Sequence, residues 1–110
     1  MGRALATVGP ENPAHVSAIS LWEIANLVLA GRMSLDRPLR PWLDAAVAAP
    51  LVDLVPISPA IAAEVGALPA EFDRDPADRI IVATARVLGL TLLTADAGIH
   101  RAAACRLADV

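Results

Sequence analysis

The segment from Asp75 to Gly89 constrains the fold more than any other part of the chain. Asp75-Pro76-Ala77-Asp78 supplies a helix cap, a proline at the first helical position and an acid at the third. The body, Arg79 to Leu88, is apolar nearly all round, and Gly89 is the stop signal. A helix with so little polar surface is stable in water only when its sides are covered. Thr91-Leu92-Leu93-Thr94 follows as a buried strand, then Ala95-Asp96 and a short helix.

The same alternation runs through the rest of the chain. His15 to Ser20 reads as a short buried strand, and Ser20-Leu21-Trp22-Glu23 as a capping box that opens a helix ending near Gly31. Leu21, Ile24, Leu27 and Val28 form its apolar face, and Trp22 is expected to pack with the aliphatic core or a partner surface. Pro38 opens a second helix with Trp42, Leu43, Ala46 and Val47 on its apolar side, and Pro50 stops it. Leu51 to Ile57 is a strand, Ser58-Pro59 starts a third helix, and Arg106 to Val110 is a candidate last strand. Strands alternating with helices imply an α/β fold whose mostly parallel sheet is covered on both faces.

Composition narrows the function classes. The 110 residues are 56% hydrophobic and only 3% aromatic, so the core is aliphatic and disorder is excluded. A formal charge of -3 excludes the basic stripe of a dedicated nucleic-acid reader. The single cysteine, Cys105, forbids an internal disulfide and fits a reducing cytosol. Ile80 to Leu93, interrupted by Arg86, is too short to span a bilayer, and the N-terminus has no signal-peptide core. The expected compartment is the cytoplasm, with no membrane association.

There is no Cys–His cluster at metal spacing, no Gly-rich phosphate loop and no nucleophile elbow, and neither His15 nor His100 sits in a nucleophile or base arrangement. The remaining chemistry belongs to carboxylates. Glu23 and Asp78 fall in first helical turns after strands or loops, and Asp96 directly follows a strand. In a parallel sheet those positions share one edge, where ligands bind. Three acids gathered there repel one another unless a cation sits among them, and hard oxygen ligands suit magnesium or manganese. The plainer alternative is that each acid only caps a helix, worth about 1 kcal/mol.

Three segments together resemble the PIN-domain ribonucleases, in particular the VapC-type toxins of bacterial toxin–antitoxin pairs. Val16-Ser17-Ala18-Ile19-Ser20-Leu21-Trp22-Glu23-Ile24-Ala25 is similar to the stretch carrying the family's second acid, and Gly31-Arg32-Met33-Ser34-Leu35 to the end of that helix. Asp75 to Ala85 resembles the stretch carrying the third acid, on Asp78, and Leu92-Leu93-Thr94-Ala95-Asp96 the fourth, on Asp96. The resemblance implies a three-layer α/β/α domain with a central mostly parallel sheet. It further implies a magnesium-dependent RNA endonuclease with an antitoxin partner and a homodimeric state. Glu23, Asp78 and Asp96 carry over as catalytic metal ligands, with the Thr94 hydroxyl supporting the site.

The family's domain opens with a strand that ends in an aspartate, its first metal ligand. Met1 to His15 holds no aspartate, so the reading is an N-terminal segment 1–15 followed by an incomplete PIN-like domain over 16–110, first strand absent. Such a chain alone is expected to be a poor nuclease. A nuclease-dead PIN remnant that binds an antitoxin or a second copy is the alternative to an active toxin, and a small α/β domain with capping acids only is the third reading.

Overall fold

A computed structural model describes residues 9–69 and 75–91. Its elements, in order, are β1 (Ala14–Ser17), α1 (Ala18–Leu29), α2 (Leu39–Ala46), β2 (Val52–Val55), α3 (Pro59–Val65) and α4 (Pro76–Leu88). They fall into two compact units, 9–56 and 57–69 with 75–91.

In the first unit β1 and β2 pair in parallel, from Ala14 opposite Val52 to Ser17 opposite Val55. Parallel neighbours need a crossover, and α1 with α2 provides it. Both strands are shorter than their apolar runs suggest. Pro56 has no N–H to extend the ladder beyond Val55, so β2 offers β1 no partner past Ser17, and the chain turns at once into α1. The Ser17 hydroxyl then accepts from the Ile19 N–H at 3.3 Å and caps the helix. This corrects the capping box expected at Ser20: Ser20 is already the third residue of α1. The helix ends as the sequence indicates. Gly31 takes φ 73°, and the Arg32 and Gly31 N–H groups close back on the Leu27 and Val28 carbonyls at 2.9 and 3.0 Å.

The second unit is built on α3 against α4. Ser58 caps α3 through the Ile61 N–H at 3.2 Å, with Pro59 at the first position. Asp75 caps α4 through the Asp78 N–H at 2.9 Å, with Pro76 at the first position, and Gly89 at φ 66° ends it. All of these follow the sequence reading. Ile61 and Val82 are wholly buried, and Leu68, Ala77, Ala83 and Ala85 complete this core. Its small alanines, and no aromatic side chain, lie among the buried residues described. Thr84, also buried, donates its hydroxyl to the Ile80 carbonyl at 2.7 Å, so α4 hides no unsatisfied oxygen there.

Two arginines of α4 hold the end of α3. The Arg86 Nε lies 2.9 Å from the Glu64 Oε2, both side chains being mostly covered. The Arg79 Nη2 donates to the Val65 carbonyl at 3.2 Å. The expected strand Thr91–Thr94 passes out of the described residues at Leu92, and the helix after Asp96 and the strand Arg106–Val110 lie outside them altogether.

Candidate functional site

Glu23 stands in the second turn of α1, because the helix starts at Ala18 directly from β1. At 1.5 Å per residue its Cα is about 7 Å along the axis from the helix start. No acid occupies the first turn of α1, so the expected first-turn placement is corrected and the capping explanation for this carboxylate falls with it. Glu23 is half-buried in a helix otherwise rich in Ala, Ile, Leu and Val. Capping chemistry therefore needs Ser17 and not Ser20. Ser17→Ala is expected to cost about 1 kcal/mol of stability. Ser20→Ala should stay within about 0.5 kcal/mol. Paired thermal melts decide between the two caps.

Asp78 is the third residue of α4 and the acid of its first turn, as expected. Its backbone N–H is satisfied by the Asp75 carboxylate, so the cap of this helix is Asp75. Asp78 is half-buried, beside the positive end of the helix dipole, which favours a carboxylate. Asp96 and Thr94 lie outside the described residues, as do His100 and Cys105. His15 faces Asp53 across the parallel strands, Nε2 to Oδ2 3.3 Å, with no nucleophile in that pair.

Among the described residues no group of three His, Cys, Asp or Glu side chains is close enough to hold a metal ion. The third expected ligand, Asp96, is not among them. The donor chemistry of the expected set fits a hard divalent ion: carboxylate oxygens alone, one of them on a helix that does not need it as a cap.

Trp22 is 59% exposed on α1, and Leu29, one face-repeat along, is 80% exposed, so of the two places expected for Trp22, core or partner surface, the core is excluded. Leu21, Glu23 to Ala25, Leu27 and Val28 are more covered, though no residue of α1 is fully buried. Arg79 was given no role by the sequence reading, which took it only as the start of the apolar helix body. The signal was its place directly after Asp78, on a helix whose other side chains nearby are Ala, Ile and Val.

Comparison with known proteins settles the family. Residues 3–104 match the PIN domain, a stretch that includes Glu23, Asp78 and Asp96. The chain belongs to the PIN-domain family. This PIN domain is also 44% identical, over 81 residues, to a protein named ribonuclease VapC22 from Mycobacterium tuberculosis. The aligned part covers 74% of this chain and 61% of that relative. The parallel strands and the helices that follow them agree with the α/β class of the family. Among the described residues no helix is long and apolar enough to cross a membrane.

Proposed function

We propose that this PIN domain is a magnesium-dependent RNA endonuclease, the toxin of a toxin–antitoxin pair. The observation that carries the proposal is the family match, which spans all three acids of the expected site. The ribonuclease name of the 44%-identical relative supports it, and so does the position of Glu23, which no capping role explains.

In this reading Glu23, Asp78 and Asp96 supply oxygen ligands to one magnesium ion, for which manganese can substitute. The Thr94 hydroxyl supports their arrangement. When bound, the ion supplies Lewis-acid stabilisation of a phosphoryl oxygen and activation of the attacking water. The residues of the chain do the rest. Glu23 stands in the second turn of α1 and Asp78 in the first turn of α4, so neither carboxylate depends on a loop for its place. Holding like charges in fixed positions keeps the site ready for a cation. With a net charge of -3 the chain has little general attraction for RNA, so substrate grip comes from the site and from a partner chain. A cognate antitoxin, a second copy of this chain and a cytoplasmic location complete the proposal.

The test is cleavage of a mixed-sequence RNA by the purified protein, whose activity on its own is expected to be weak. Activity should vanish with EDTA and return with added magnesium. Cleavage that survives exhaustive chelation would count against the metal-dependent reading.

A further inference from the structure

We propose that Arg79 is a positioning residue for Asp78, acting by tying the first turn of α4 to the carboxyl end of α3. The inference rests on the metal-site reading of Asp78 and adds the device that aims it. Helix α3 has only seven residues, and its last carbonyls need partners. The Val65 carbonyl takes two: the Leu68 N–H at 3.4 Å and the Arg79 Nη2 at 3.2 Å. The second bond places a cation at the negative end of the α3 dipole, where it is favourable. It also reaches across 14 residues of chain, from the residue directly following Asp78.

Two other bonds fix the same turn. Asp75 accepts from the Asp78 N–H at 2.9 Å, and the Asp75 carbonyl accepts from the Arg79 N–H at 3.1 Å. Ala77, between them, is buried against the unit's core. Those bonds define the turn internally; the Arg79 side chain ties it to another helix. The half-buried guanidinium is planar and pre-organised, so little freedom is lost in holding that bond.

Arg86 provides the contrast. It also grips the end of α3, through Glu64 at 2.9 Å, but from the last turn of α4. Eight residues, or about 12 Å of helix, separate it from Asp78. It should hold the helices together without aiming the carboxylate.

The experiment compares Arg79→Met, Arg79→Lys, Arg86→Met and Asp78→Asn in the full chain, by manganese titration with electron paramagnetic resonance and by amide exchange in metal-free protein. Arg79→Met should weaken manganese binding by about 10-fold, as loss of support behind a metal ligand commonly does. It should also speed exchange of the Asp78 and Arg79 amides. Arg79→Lys, which keeps one donor for the Val65 carbonyl, should restore most of the affinity. Arg86→Met should lower the melting temperature and leave manganese affinity within about 2-fold, since it touches nothing near the ligand. Wild-type affinity in Arg79→Met, beside a clear loss in Asp78→Asn, would overturn the positioning role and leave the ligand reading standing. Unchanged affinity in Asp78→Asn would remove the ligand reading itself, and the positioning role with it.

Discussion

Asp78→Asn and Glu23→Gln are each expected to lower RNA cleavage by at least about 100-fold, because loss of a direct metal ligand should exceed the 10–100-fold typical of its supporting residues. Both substitutions keep the shape of the side chain and remove its charge. Neither should unfold the protein. In α4 the cap is Asp75, whose carboxylate still receives the N–H of residue 78. In α1 the cap is Ser17, six residues before Glu23. Gel assays of cleavage, run beside thermal melts, therefore separate chemistry from folding. A variant that melts like the parent and cleaves like it would remove that residue from the site.

The largest effect on stability should come from Ile61→Ala. Ile61 is 1% exposed and lies in the contact of α3 with α4, whose other wholly buried large side chain is Val82. Removing the side chain loses its transfer energy and leaves a cavity in a close-packed region, at a cost of about 2–5 kcal/mol. Against a net stability of about 5–15 kcal/mol for a domain, that is a large fraction. Ala62, its exposed neighbour on α3, offers the control: Ala62→Ser should change stability by no more than about 0.5 kcal/mol. Urea denaturation of the two variants measures the difference. A cost below 1 kcal/mol for Ile61→Ala would mean that the α3–α4 contact is looser than its burial indicates.

The sequence carries its most legible information where local chemistry and tertiary packing agree. Asp75, Pro76 and Gly89 bound α4 to the residue, because cap, proline and left-handed glycine each act within one turn. Ser58 and Pro59 do the same for α3. The first helix was less legible. Ser17 and Ser20 can each cap a helix, and the choice between them is made by β2, which ends at Val55 before Pro56 and offers β1 no partner past Ser17. That decision is long-range, and it moved Glu23 from the first turn to the second.

Asp78 was identified in the right turn of the right helix, but the Arg79 tie to Val65 could not be seen, since it depends on where another helix ends. Trp22 shows a further limit: the sequence left core and partner surface both open, and only its 59% exposure excludes the core. Periodicity fixes which residues share a helix face and leaves open which face is covered.

The central claim is that Glu23, Asp78 and Asp96 serve one ion. The most direct measurement is amide NMR of the metal-free protein during titration with substoichiometric manganese, whose unpaired electrons broaden signals nearby. The account predicts that the amides around Glu23 in α1, around Asp78 in α4 and around Asp96 broaden together, at the same added manganese, and recover together when magnesium is added in excess. Broadening confined to one of these segments, or centred on other carboxylates such as Asp36 or Asp44, would contradict it.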